Sequence, residues 1–227
     1  MTHELADISA SVVLHGAEHR CPHVIVPNFL GREIVQDLLR HVDNERASFS
    51  PGLVYREQLH SAIADVNVRN CALLFPIAPF QEVIEPKILS VLTVALAKLG
   101  LFEREAMVTE FEFCAYGEGG LFKPHHDIMP KGDPRIASCV YYFFRDPPGF
   151  TGGELRLYPW PRLNPGDTPK RPWVDVIPTS DSLVIFPSAL RHEVRPVTCL
   201  SGDWANRRFT INCWSYRRLS NSISESS

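Results

Sequence analysis

The sequence holds no surplus of positive charge. Its 23 lysine and arginine side chains face 26 acidic ones, a net charge of -3, which removes the electrostatic case for nucleic acid or an anionic membrane as a partner. It holds no CxxC pair and no regular cysteine framework. Cys21, Cys71, Cys114, Cys139, Cys199 and Cys213 stand far apart, several inside apolar runs, and read as reduced core residues of an intracellular protein. The N-terminal MTHELADISASV carries acids early and lacks a basic segment followed by an apolar one, so no secretory signal is expected. The longest apolar run, Ile88 to Phe102, contains Lys98 and Gly100 and is too short to span a bilayer. Internal repeats and domain boundaries are also absent. Together these absences predict a cytoplasmic protein with a single core, bound to neither nucleic acid nor membrane.

What is present favours strands. The 227 residues suit one domain of the larger kind, and 44% hydrophobic with 22% charged residues is ordinary globular composition. Nineteen prolines, clustered in the second half, point to short strands and long loops. Ile34, Val35, Leu38, Leu39 and Val42 recur at helical spacing, and a second helix fits Pro79 to Leu99, where Pro86 should kink the helix or mark its true start. From Met107 the period changes to two. Candidate strands are 108–116, 121–127, 136–144, 154–158, 173–177, 182–186, 193–197 and 209–216. Eight short strands behind two helices predict a mostly β fold, a double-sheet jelly roll backed by helices. Residues 1–105 are then mainly helical support with an irregular covering loop over Ser50–Asn70, residues 106–217 the barrel, and residues 218–227 a polar tail. Arg145–Thr151 and the proline-rich Pro159–Pro172 are further candidate coverings.

The chemistry concentrates in Lys123-Pro-His-His-Asp-Ile-Met-Pro130. On a strand, residues i and i+2 share a face, so His125 and Asp127 can chelate one ion while His126 points away. A short motif of this kind matches by chance often, and His41-Val42-Asp43 repeats the spacing inside a helix, where i and i+2 lie about 200° apart and cannot converge. Downstream, Phe186-Pro-Ser-Ala-Leu-Arg-His192 follows an apolar strand and opens the next one, making His192 the natural third ligand. Two imidazoles and one carboxylate hold Fe(II) on one face and leave the other open. In Arg208-Phe-Thr-Ile-Asn-Cys-Trp214, alternation puts Phe209, Ile211 and Cys213 on one face and Arg208, Thr210, Asn212 and Trp214 on the other. An inward arginine makes sense if a small anion enters the barrel, because its forked donors suit a carboxylate. Arg207 falls at the strand edge, where an arginine snorkels to solvent.

These residues together resemble the prolyl 4-hydroxylase-like branch of the Fe(II)/2-oxoglutarate-dependent oxygenases. The ordered pattern is Tyr116-x-x-Gly119, His125-x-Asp127, Arg135 with Tyr141-Tyr142, Gly152-Gly-Glu-Leu155, Phe186-Pro-Ser, His192-Glu-Val, and Arg208 through Trp214, over roughly residues 107–217. The resemblance implies His125, Asp127 and His192 as iron ligands and catalytic centre. It implies Arg208 on the distal carboxylate of 2-oxoglutarate, assisted by Tyr142 and Thr210, with Tyr116 near the co-substrate and Trp214 as core. It also implies Fe(II), 2-oxoglutarate, dioxygen and ascorbate as cofactors, and hydroxylation of an unactivated C–H rather than halogenation, since family halogenases carry a small residue where Asp127 stands. Gly152-Gly153 serves a close backbone turn. The resemblance further implies a prolyl residue or another amino-acid-like group as substrate, on a peptide or a small molecule, and the sequence assigns no oligomeric state. Two rival readings stay open on the residues alone: a cupin-like iron dioxygenase without 2-oxoglutarate, and a barrel that binds a metal or peptide without turnover.

Overall fold

The computed structural model describes residues 11–56, 60–102, 106–128, 132–160 and 171–217. The first half supplies β1 (Val13–His15), β2 (His23–Pro27), α1 (Arg32–Asn44), β3 (Ser50–Pro51), β4 (Leu53–Arg56), β5 (Ser61–Ala64), β6 (Arg69–Asn70), β7 (Ala72–Leu74) and α2 (Gln81–Lys98). Among the described residues the second half is built of strands and a short 3-10 turn at Trp204–Asn206: β8 (Ala106–Tyr116), β9 (Leu121–His125), β10 (Arg135–Phe143), β11 (Thr151–Gly152), β12 (Leu155–Leu157), β13 (Val174–Val176), β14 (Ser182–Pro187), β15 (His192–Val194), β16 (Val197–Thr198) and β17 (Arg208–Arg217).

Two antiparallel sheets face each other, as the jelly-roll expectation requires. The major sheet runs β1-β2-β14-β10-β17-β8-β7-β3 and the minor sheet β13-β12-β15-β9-β6. The outer face of the major sheet, with Phe113, Phe143, Phe209, Ile211 and Cys213, packs on Leu38 and Val42 of α1 and on Ile84, Ile88 and Ala95 of α2. The inner faces meet in a second cluster that includes Tyr116, Tyr142, Leu155, Leu157, Val184 and Phe186. Period two on β17 therefore separates a helix-facing side from a cavity-facing one.

Helix α1 enters through Gly31 with no side-chain cap, and the approach to it is held by a residue remote in sequence. Asp181 accepts the Leu30 and Gly31 N–H groups at 2.8 and 3.0 Å and the Tyr141 hydroxyl at 2.9 Å, tying the helix start to the major sheet. Pro86 lies inside α2, in its second turn, so it does not mark the helix start. Burial of Ile84 and Ile88 on either side offsets the missing backbone bond. Among the described residues no helix is long and apolar enough to cross a membrane, and all six cysteines are free, five of them buried.

The expectation for residues 1–105 needs correction. The segment read as helical support also lends β1, β2, β3 and β7 to the major sheet and β6 to the minor one. The stretch 50–70, read as an irregular loop, contains β3, the β4–β5 hairpin and β6. Strands of two to four residues, half-exposed and at sheet edges, are too short to reveal a period of two. Most of the proline-rich loop at 161–170 and the tail at 218–227 lie outside the described residues.

Candidate metal centre and anion pit

Strand register builds the centre. His125 at the end of β9 and His192 at the start of β15 are direct cross-strand partners, which places their side chains on one face of the minor sheet at contact distance. Their ring centroids lie 4.2 Å apart. Asp127 lies just past the end of β9, so the chelate spacing is completed by a bend rather than by a strand continuing to residue 127. Its N–H still bonds the Ser188 carbonyl at 3.1 Å. His125 Nε2 lies 3.4 Å from Asp127 Oδ1 and His192 Nε2 lies 3.5 Å from Asp127 Oδ2. One ligand atom from each of the three residues falls within 4.8 Å of the others. His126 leaves this group; it is exposed, and its Nδ1 bonds the Ala189 carbonyl at 2.9 Å.

Both imidazoles are oriented from behind. Nδ1–H of His125 donates to the Lys123 carbonyl and Nδ1–H of His192 to the Leu190 carbonyl, each at 2.8 Å. This fixes the tautomer in which Nε2 carries the lone pair that a metal needs. Phe122 stacks on His125 with centroids 3.6 Å apart, and Phe186 meets His192 edge-on at 4.7 Å. Burial, followed by the neighbouring His125, pushes the pKa of His192 down to about 4, so it stays neutral and available. Burial would raise the Asp127 carboxyl, but His192, His125 and the Ser138 hydroxyl outweigh it and hold the group well below the usual carboxylate range. Its Oδ2 accepts from Ser138 Oγ at 2.6 Å and from the Trp214 indole N–H at 2.9 Å. Trp214, read from the sequence as core, therefore belongs to the centre. The missed signal was its place on the Arg208 face of β17 together with an indole donor that needs a partner when buried.

Deeper in the same cavity, of about 200 Å³, three strands assemble an anion pit. Tyr142 on β10 pairs with Thr210 on β17, and Arg208 on β17 pairs with Tyr116 on β8. Arg208 is 1% exposed, and its guanidinium sits 4.9 Å from the ring centres of both Tyr116 and Tyr142. Among the described residues no ion pair involves it, and Arg208 Nε, the Tyr142 hydroxyl and Thr210 Oγ1 are all buried without a hydrogen-bond partner. A buried cation with idle donors is costly unless a ligand completes it, and a carboxylate fits this donor set. Gly153 is required here: at φ +70° its Cβ would fall 2.6 Å from Arg208 Cδ. Gly152, at φ +73°, lies against the Pro196 carbonyl, so both glycines serve the close turn expected of them.

A further side chain, Arg69, borders the cavity. Arg69 of β6 reaches across to Glu112 of β8 at 2.6 Å and lies over Phe122, closing the barrel on that side. Arg69 was hidden in the stretch read as loop. Arg207, expected to snorkel, instead packs its guanidinium 4.6 Å over Trp204.

The donor set and the pit agree with what comparison finds. Residues 111–216 match the family described as the 2OG-Fe(II) oxygenase superfamily. A PKHD-type hydroxylase of Synechocystis is 32% identical over 144 residues, 63% of this chain and 48% of the relative. Human Egl nine homolog 1 is 30% identical over 120 residues, 52% of this chain and 24% of that protein. The chain thus spans about half of one curated relative and about a quarter of the other. A solved prolyl hydroxylase of Trichoplax adhaerens superposes with a TM-score of 0.66 at 22% identity, over 95% of this chain and 91% of that one, which supports the same fold. Two imidazoles and an acid at one end of a cavity and a buried guanidinium at the other stand on strands within residues 111–216, the stretch that matches the 2OG-Fe(II) oxygenase superfamily, and the chain is similar there to prolyl-hydroxylase-like proteins of that superfamily.

Proposed function

We propose that the protein is an Fe(II)- and 2-oxoglutarate-dependent hydroxylase, acting as one catalytic domain, with His125, Asp127 and His192 as its iron ligands. Arg208 grips the distal carboxylate of 2-oxoglutarate, with the Tyr142 hydroxyl and Thr210 Oγ1 as auxiliary donors and Tyr116 as a ring wall. The observation that carries this reading is the buried guanidinium: three ligand atoms clustered within 4.8 Å share a cavity with Arg208, whose Nε has no hydrogen-bond partner among the described residues. That pairing favours a dicarboxylate co-substrate over an iron dioxygenase that dispenses with one.

Bound iron supplies the activation of dioxygen; one oxygen atom enters succinate as 2-oxoglutarate loses carbon dioxide, and the other becomes the hydroxyl of the product. The residues do the rest. His125 and His192 present neutral Nε2 lone pairs because backbone carbonyls hold their Nδ1 protons. Arg208 fixes one end of the co-substrate so that its keto acid faces the triad. Phe122, Phe186 and Leu155 line the cavity and keep water from it.

The substrate we propose is a prolyl residue or a related amino-acid side chain presented on a peptide. The Trichoplax relative was solved with a peptide fragment of hypoxia inducible factor, and that likeness favours a peptide over a free metabolite. Succinate release should be screened across proline-containing peptides, free amino acids and small acids with Fe(II), 2-oxoglutarate and ascorbate. At least one substrate should stimulate release, and Asp127→Ala should abolish it. Turnover that persists in that variant sinks the triad.

A further inference from the structure

Asp127 is restrained beyond what a metal ligand needs, and its restraints are unevenly shared between its two oxygens. Oδ2 accepts from both Ser138 Oγ and Trp214 Nε1, at 2.6 and 2.9 Å, and two donors engage both in-plane lone pairs of one carboxylate oxygen. Oδ1 has no such donor among the described residues and lies 3.4 Å from His125 Nε2, while Oδ2, with its two donors, lies 3.5 Å from His192 Nε2. Each donor is itself fixed. Ser138 has one proton, and with that proton on Asp127 the Ser188 hydroxyl 2.9 Å away donates to Ser138. The Trp214 ring lies under the Arg135 guanidinium, 5.3 Å from its centre. Arg135 in turn donates to the Asp127 carbonyl at 2.7 Å, to the Tyr216 hydroxyl at 2.8 Å and to Glu110 at 2.8 Å. Ser138 and Trp214 are also direct cross-strand partners on β10 and β17. Register shifts next to both, between Arg135 and Ala137 and between Asn212 and Trp214, are the kind that re-aim side chains near active sites.

We propose that Ser138 and Trp214 are positioning residues that make Asp127 a one-oxygen ligand, offering Oδ1 to the metal and withholding Oδ2. This rests on the iron-site reading above. A carboxylate free to rotate can bind through both oxygens, and that second bond would occupy one of the three positions that the co-substrate and dioxygen require. The clamp therefore protects an open position as well as holding the ligand in place.

The test uses the full chain with Mn(II) as probe, measuring affinity by calorimetry and the number of metal-bound waters by water-proton relaxation. Trp214→Phe keeps the ring and loses the donor; Ser138→Ala loses the other donor, and Ser138→Thr restores it. In both loss variants Mn(II) should bind about 10- to 100-fold more weakly and hold fewer waters as Oδ2 joins the metal, while Ser138→Thr should match the wild type on both counts. The two loss variants are independent, so a folding failure in one leaves the other decisive. Unchanged affinity and water count overturn the proposal and leave the iron-site reading standing. Weaker binding with an unchanged water count also overturns it, as the mark of a general structural role. A wild-type chain that does not bind Mn(II) sinks the iron-site reading and this inference together.

Discussion

Replacing Arg208 with methionine should separate stability from co-substrate binding. In the ligand-free chain Arg208 is a buried cation, 1% exposed, with two aromatic rings beside it and an idle Nε. The rings return about 0.5–2 kcal/mol each through cation–π attraction, against a desolvation penalty of several kcal/mol for an ion without a partner. A methionine of similar reach fills the same slot without a charge, so the ligand-free protein should be as stable as the wild type or more so by about 1–3 kcal/mol. Binding of 2-oxoglutarate should instead lose about 2–5 kcal/mol, as when one member of a desolvated charge pair is removed. At a tenfold change per 1.4 kcal/mol, that weakens the dissociation constant roughly 30- to 4000-fold. Urea unfolding of the metal-free chain gives the first quantity, and calorimetry of 2-oxoglutarate with Mn(II) present gives the second. An affinity within threefold of wild type would refute the anion-pit argument. A loss of more than about 3 kcal/mol in stability would show Arg208 to be a structural strut instead.

Tyr142→Phe and Thr210→Val each remove a buried hydroxyl that has no well-formed hydrogen bond among the described residues. Each should weaken 2-oxoglutarate by about 0.5–1.5 kcal/mol with little change in urea midpoint, and a large stability loss in either would count against an idle hydroxyl. Gly153→Ala meets both a left-handed backbone and a 2.6 Å approach to Arg208 Cδ. It should cost about 2 kcal/mol or more in unfolding free energy and lower 2-oxoglutarate affinity as well; an unperturbed affinity would mean that the turn does not fix the arginine. Stability of the metal-free chain should fall as pH drops from about 6.5 to about 4, because the unfolded chain binds a proton at His192 that the folded one refuses until about pH 4. Urea unfolding across this range checks it, and the slope should lessen in His192→Gln.

The second half of the chain was legible because its strands are long or strongly patterned. β8, β10 and β17 carry nine to eleven residues each, enough for alternation to mark which side chains enter the cavity, and Arg208, Thr210 and Asn212 do line it. His192 was found because it opens a strand after an apolar one, although nothing local says that β15 pairs with β9 rather than another neighbour. Trp214 shared the legible face and was still missed, since a large ring is more often core than donor. Arg69 was illegible for a different reason: a two-residue strand has no period, and its partner Glu112 is 43 residues away. Asp127 stands beside His125 and His192 as expected, on reasoning that holds only in part, because the bend past β9 does what a continued strand was expected to do.

Register on a single strand also sets a length. Arg208 and Trp214 stand six residues apart on β17, with Trp214 bonded to Asp127, so the span from guanidinium to carboxylate is set by a strand in unbroken register with β10 from Phe209 to Ser215 and with β8 as far as Asn212. Under the proposed reading the barrel is a gauge for diacids. A chain one methylene shorter would reach one end at the expense of the other, and one methylene longer would have to buckle. Discrimination between neighbouring keto diacids of central metabolism is then a property of sheet geometry, written into the fold before any contact with the molecule being hydroxylated.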